Sequence, residues 1–149
     1  MSDPDDPSDE TPLYMETPHA LAVGMVFLEG SDDEAVLKVP YRADLVGDPD
    51  TGVLHGGVIT AALDHVCGAA VKKLDLPEEQ SQIATLDLRI DYMRSAVVGH
   101  DLFVAAHCTR QTRTIAFMRG IAWDEDRADP VATCTGTFML GSTTPPRAS

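Results

Sequence analysis

Basic residues are scarce in this 149-residue chain: eleven lysines and arginines stand against 24 aspartates and glutamates, a net charge of −13. So acidic a chain lacks the positive surface that a nucleic-acid backbone or an anionic membrane requires, and neither is expected as a partner. Cysteine is scarce too. Cys67, Cys108 and Cys134 are odd in number, far apart and without a CxxC pair, which argues against a disulfide framework and a cysteine-ligated zinc. His19, His65, His100 and His107 show no metal-binding spacing, so no metal and no cofactor are expected. A basic stretch followed by an apolar one, as in a secretory leader, is missing. The longest apolar run is too short and too interrupted to span a bilayer, and the expected location is the cytoplasm.

What is present is the material of one ordinary domain, 44% hydrophobic and 23% charged. Six of the acids (Asp3, Asp5, Asp6, Asp9, Glu10 and Glu16) fall in the first sixteen residues with no base among them, which leaves −7 for the rest. With Pro4, Pro7 and Pro12 and hardly an apolar side chain, the first dozen of residues 1–16 cannot bury enough surface to offset the entropy of ordering. They are expected to form an acidic tail, residues 17–142 one folded domain, and 143–149 a second flexible tail.

Within that domain, Pro18 to Val23 reads as a short helical turn. Met25 to Glu29 and Ala35 to Val39 read as a hairpin around Gly30-Ser31-Asp32-Asp33. Tyr41 to Leu54, rich in Gly, Pro and Asp, reads as a loop. From Gly57 to Leu74 the chain has helical length, good helix formers, and Lys72 and Lys73 where cations suit the negative end of the helix dipole. Apolar nearly all round, this helix must be enclosed by other structure. Then Leu86, Leu88, Ile90 and Tyr92 alternate with polar residues, the pattern of a strand with one buried face. Three further runs, Asp101 to Thr109, Thr114 to Trp123 and Val131 to Leu140, divided by the connections 110–113 and 124–127, are expected to form a meander. Two strands, a buried helix and four strands make an α+β domain whose sheet wraps the helix.

That helix carries one acid, Asp64. A carboxylate amid Ala, Val, Ile and Leu is unfavourable unless paired or wetted, so its presence asks for a reason, and catalysis is one. At 100° per residue, Asp64 shares its face with Gly57, Thr60, Ala61, Cys67, Gly68 and Val71, while Ile59, Ala62, Val66 and Ala69 lie opposite. The larger side is expected on the sheet, leaving the small side open to a ligand or another backbone. His55-Gly56-Gly57 marks the helix start, where free N–H groups and the positive dipole end suit a developing oxyanion. Gly57 and Asp64 are seven residues apart, about 10.5 Å of rise, whereas a base or nucleophile must lie roughly 3 Å from the reacting group. One helix cannot offer both to one carbonyl. If the two work together, the acid comes from another copy, most simply through a two-fold dimer with antiparallel helices.

These residues together resemble the PaaI-type acyl-CoA thioesterases of the hotdog-fold superfamily. The likeness runs from about Pro18 to Leu140. It rests on Leu54-His55-Gly56-Gly57, the aspartate nine residues after the histidine, the strand Thr85-Leu86-Asp87-Leu88-Arg89-Ile90-Asp91-Tyr92, and the closing Gly136-Thr137-Phe138. It implies a curved antiparallel sheet of about six strands wrapped around one long central helix, homodimers with continuous sheets, often homotetramers, and metal-free hydrolysis of acyl-CoA. Asp64 would be the nucleophile or the base activating water, and the Gly57 N–H would polarise the thioester carbonyl. His55 would orient the loop or the thioester, Gly56 would line the substrate, and Thr85 would stand near the attacking water. The chain departs from the pattern at Asp48-Pro49-Asp50, where many relatives have Asn, and at Ser95, where proline is common.

For the phosphates of coenzyme A, Arg110 and Arg113 are the favoured contacts, placed on a strand connection in an acidic chain. Cys67 reads as packing. Two other functions remain open. An enoyl-CoA hydratase or dehydratase would use Asp50 and His55, although Gly52 and Val53 replace the Asn-Pro of that motif. A non-catalytic acyl-CoA binding or regulatory module would have no evident use for Asp64.

Overall fold

The computed structural model describes residues 16–141; Glu16 aside, the two expected tails lie outside the described residues. Thr17 opens the first helix, α1 (Pro18–Val23): its hydroxyl accepts the Ala20 N–H at 3.2 Å, and Pro18 fits the first turn, where no donor is needed. Gly24 ends it in the left-handed region, at φ 83°. Strands β1 (Val26–Leu28) and β2 (Glu34–Val39) make the expected hairpin. The stretch expected to be plain loop is more ordered than that. A 3-10 turn at Ala43–Leu45 leads into a small hairpin of β3 (Val46–Asp48) and β4 (Val53–Leu54). Strands of three and two residues are too short to leave an alternating pattern in sequence.

The long helix α2 spans Gly56–Lys72 and is followed by β5 (Ile83–Tyr92), β6 (Leu102–Gln111), β7 (Ile115–Trp123) and β8 (Ala132–Leu140). One antiparallel sheet has the order β1-β2-β6-β7-β8-β5, so the last three strands form the expected meander and β5 lies at an edge beside β8. The sheet buries one face against α2. Leu37 and Val39 of β2, Leu102 and Val104 of β6, Met118 of β7 and Phe138 of β8 join Ile59, Ala62, Leu63 and Val66 of the helix in a single core. Gly120 lets the layers close. A Cβ there would stand 2.6 Å from Cys134 Sγ and 3.4 Å from Leu63 Cδ2. The larger helix side meets the sheet as expected; of the small side, Cys67 and Val71 are buried too, whereas Thr60, Ala61, Asp64 and Gly68 are half-buried. Lys73 closes the other end of the helix by donating to the Ser31 and Glu34 carbonyls at 2.7 and 3.0 Å.

Strand β5 departs from its sequence pattern. Leu86 and Tyr92, expected on the buried face, are 50% and 53% exposed. The register explains Leu86: Thr85 pairs with Phe138 and Asp87 with Thr137, so Leu86 is an extra residue, a bulge. The bulge resets the alternation and brings Thr85 onto the helix-facing side with Leu88, Ile90 and Tyr92. Tyr92 is exposed because it lies at the end of an edge strand, beside the start of α2.

The chain leaving β5 is anchored by a bidentate ion pair. Arg94 Nη2 and Nη1 donate to Asp124 Oδ1 and Oδ2 at 2.6 and 3.0 Å, and the Glu125 and Val97 N–H groups donate to the same two oxygens at 2.8 and 2.7 Å. Asp124 is buried, and the Arg94 hydrogen bond above all, with those of the two backbone amides, holds its carboxyl well below the usual carboxylate range. Because that carboxyl ionises at lower pH in the folded chain than in the unfolded one, the pair stabilises fully above about pH 4 and progressively less as pH falls further. Asp124→Asn leaves buried donors facing an amide and is expected to destabilise the fold by about 3–5 kcal/mol at pH 7. The deficit should shrink between about pH 4 and pH 2, as read by urea denaturation of both proteins; a deficit independent of pH would contradict it.

Candidate active site

At the start of α2 the chain leaves β4 through His55 in extended conformation, and the imidazole turns back onto the helix. His55 Nδ1 accepts the Gly57 N–H at 2.8 Å, and the His55 carbonyl accepts the Val58 N–H at 3.0 Å. The first amides of the helix were expected to be free, and two of them are not: the residue before the glycines caps them itself, as Ser or Asp does elsewhere. The Gly56 N–H keeps no partner among the described residues. A Cβ on Gly57 would lie 2.8 Å from His55 Nδ1 and would displace the capping imidazole, whereas one on Gly56 would make ordinary contact with the Tyr92 hydroxyl and ring at 3.7–3.9 Å. His55, Gly56 and Gly57 are all exposed.

Two turns along, Asp64 is half-buried and accepts a hydrogen bond from the Thr85 hydroxyl, Oγ1 to Oδ1, at 2.9 Å. The β5 bulge makes this contact, because without it Thr85 would share the outer face with Asp87 and Arg89. His65, next to Asp64 on the helix, packs its ring on Phe27 with centroids 5.6 Å apart. Thus the structure brings together Asp64 with Thr85, and His55 with Gly57, and leaves the two pairs at opposite ends of two helical turns.

A residue not singled out from sequence joins the second pair. The Tyr92 hydroxyl donates to the Gly56 carbonyl at 3.0 Å and lies 2.6 Å from Thr60 Oγ1, which reaches the same carbonyl at 3.2 Å. Tyr92 was read as a core residue, and nothing in the strand pattern distinguishes a tyrosine that ends beside a helix start. Its ring also lines a groove of about 400 Å³ with Val53, Leu54, Gly56, Ile59, Met93 and Ala96 and the polar Arg94 and Ser95.

The other candidates stand apart. Arg110 lies within β6 and not in a connection, opposite Phe117 on the sheet face away from α2; the strand runs to Gln111 because its register shifts after Cys108. Arg113 is in the β6–β7 turn, its carbonyl accepting Gln80 Nε2 at 2.7 Å. Both side chains are exposed at the end of the sheet where Thr85 lies. Asp50 is in the β3–β4 turn, its N–H on Asp48 Oδ1 at 3.0 Å. Cys67 and Cys134, distant in sequence, are buried with their sulfurs 3.8 Å apart. The neighbouring thiol first, then burial, pushes the Cys67 thiol up, which leaves it a protonated packing group. Among the described residues, no cluster of three or more His, Cys, Asp or Glu is placed to hold a metal ion, and no helix is long and apolar enough to cross a membrane.

Comparison with known proteins now identifies the class. Residues 51–131 match the thioesterase superfamily model, which covers α2 and both ends of the site. The medium/long-chain acyl-CoA thioesterase YigI of Escherichia coli K12 is 27% identical over 135 residues, covering 83% of this chain and 86% of its own. A Pseudomonas aeruginosa protein of known crystal structure is 36% identical with a TM-score of 0.72, covering 81% of this chain and 88% of that one. A mutant of the phenylacetic acid degradation protein PaaI of Thermus thermophilus is 28% identical with a TM-score of 0.70, covering 83% and 98%. The chain belongs to the thioesterase superfamily, with the hotdog fold, and is a thioester hydrolase.

The cap makes a distinction measurable. His55→Ala is expected to destabilise the fold by about 1 kcal/mol, and His55→Asn, which restores a cap acceptor, to recover most of it. Denaturant titration of the two variants checks this; equal losses would rule out capping as the role of the imidazole in the folded chain.

Proposed function

We propose that the chain hydrolyses acyl-CoA thioesters, with Asp64 as nucleophile or general base and the amides of the His55-Gly56-Gly57 turn as oxyanion donors. The observation that carries this reading is the half-buried Asp64 carboxylate, held by Thr85 on an otherwise apolar helix. Such a group is expensive to keep in a fold and is put where chemistry needs it. The choice of acyl-CoA draws on relatives such as YigI, which bears that activity in its name.

With Asp64 as base, Thr85 occupies Oδ1, and Oδ2 is left to take a proton from water as the water oxygen attacks the thioester carbonyl. The carbonyl oxygen becomes an oxyanion, received by the Gly57 N–H once His55 Nδ1 releases it, with the Gly56 N–H beside it. Collapse of the tetrahedral intermediate breaks the carbon–sulfur bond, and the departing thiolate takes up the proton that Asp64 removed from water, which restores the carboxylate. With Asp64 as nucleophile, the same oxyanion forms in the first step and water hydrolyses the acyl-aspartyl anhydride in the second. The Val53, Leu54, Ile59 and Met93 side of the groove at Gly56 suits an acyl group, and Arg110 and Arg113 remain the favoured contacts for the phosphates of coenzyme A.

The two pairs cannot act on one carbonyl within one chain, so the reading requires a second copy. Strand β5 supplies the means: it is ten residues long, lies at the sheet edge and exposes Leu86 and Tyr92. Its Thr85 end sits at Asp64 and its Tyr92 end at Gly56. Antiparallel pairing of two such edges, with the two-fold axis near Leu88 and Arg89, lays the Thr85 end of one copy against the Tyr92 end of the other. Each Asp64 then approaches the partner's helix start, and the sheet becomes continuous across a homodimer. Dimers of such dimers, and a cytoplasmic setting, belong to the same proposal.

Asp64→Asn is expected to lower thiol release from acyl-CoA by at least about a hundred-fold while the unfolding midpoint stays near that of the wild type. Wild-type turnover in that variant would refute the assignment.

A further inference from the structure

A buried thiol pair, the exposed edge residue Leu86 and the hydroxyl cluster at the start of α2 all stand outside the proposed chemical steps. Only the last places named atoms on a group with a chemical task. We infer that Tyr92, acting with Thr60, is a positioning residue that sets the direction and strength of the oxyanion-binding Gly57 N–H through the Gly56–Gly57 peptide. The inference rests on the proposed role of that amide in thioester hydrolysis.

The reason begins with covalent structure. The Gly56 carbonyl and the Gly57 N–H belong to one planar peptide unit and point in opposite directions across it. Whatever fixes the carbonyl therefore fixes the amide. Two hydroxyls converge on that carbonyl, Tyr92 at 3.0 Å from β5 and Thr60 at 3.2 Å from the next turn of the helix, and they lie 2.6 Å from each other. Two hydroxyl protons serve three contacts, and both cannot point into the space between the hydroxyls. At least one proton is thus directed at the Gly56 oxygen in every arrangement that satisfies the cluster.

The two contacts differ in kind. A helical threonine that bonds the carbonyl four residues back is common and restrains nothing outside its own helix. Tyr92 comes from another element and ties the glycine turn to the sheet. Glycine is the residue with the most backbone freedom, and two in succession at an exposed helix start need such an anchor if their amide is to wait in a fixed direction. Hydrogen bonds accepted by the carbonyl also polarise the peptide, which makes its N–H a stronger donor. On the far side of the same peptide, His55 Nδ1 holds the N–H at 2.8 Å. The peptide is gripped from both ends, and only the His55 end has to let go when an oxyanion arrives. A preorganised donor needs no reorientation as charge develops, and that is the condition under which it lowers the barrier.

Tyr92→Phe keeps the ring in the groove and removes the hydroxyl. It is expected to lower kcat about ten-fold with KM unchanged, because the loss falls on the transition state and not on substrate binding. In the free enzyme, the Gly57 amide nitrogen resonance should move in this variant. Thr60→Val should give a smaller loss, since the Tyr92 contact survives, and Thr60→Ser, which keeps a hydroxyl, should restore wild-type kcat. Wild-type kcat in Tyr92→Phe, or a raised KM at unchanged kcat, would overturn the inference. Asp64→Asn measured alongside separates the two levels. If that variant is inactive while Tyr92→Phe is unimpaired, the clamp alone fails; if Asp64→Asn is itself fully active, the proposed chemistry fails with it.

Discussion

The spacing of Gly57 and Asp64 on one rigid helix constrains everything else about this site. Seven residues of α2 hold the glycine turn and the carboxylate on the same face, about 10.5 Å apart, and a helix enclosed by a sheet cannot bend to bring them closer. The apolar residues on the opposite side of α2 fix its rotation against β2, β6 and β7, so Thr60, Ala61 and Asp64 of the small side lie toward the β5 edge, while Cys67 and Val71 below them stay in the core. From that orientation follow the half-burial of Asp64, the openness of the helix start and the demand, on the proposed reading, for a second copy of the chain.

Strand β5 is the second half of the same design. It runs beside α2 from Asp64 to the glycine turn, and each of its ends contributes a hydroxyl, Thr85 to the acid and Tyr92 to the turn. The acid and the glycine peptide are held by named neighbours: Asp64 by Thr85, the Gly57 N–H by His55, the Gly56 carbonyl by Tyr92 and Thr60. The chain that follows Tyr92 is held in turn by the buried Arg94–Asp124 pair, which keeps the 93–96 wall of the groove in place. Such preorganisation suits a reaction whose charge appears briefly at a carbonyl oxygen.

Much of this could be read from residue order. Asp64 was conspicuous because its neighbours are apolar all round the helix, and α2 itself because a run of that composition has helical length. The hairpin showed in two short apolar runs around Gly30-Ser31-Asp32-Asp33, and the meander in three longer runs divided by polar connections. What escaped notice depended on single insertions and on contacts between distant residues. One extra residue, Leu86, moves Thr85 from the outer face to the acid, and another irregularity after Cys108 keeps Arg110 inside a strand; neither alters local composition. Tyr92 looked like core because periodicity cannot show where a strand ends against a helix. Cys67 and Cys134, remote in sequence, meet only because β8 packs across α2.

The central claim is that one catalytic unit takes Asp64 from one chain and the glycine turn from another. Co-refolding an Asp64→Asn chain with a Gly57→Val chain tests it most directly, each variant being inactive alone. A shared site predicts recovery of about a quarter of wild-type turnover, because half the dimers are mixed and each mixed dimer rebuilds one of its two sites. No recovery, in a mixture shown to contain mixed dimers, would contradict the account.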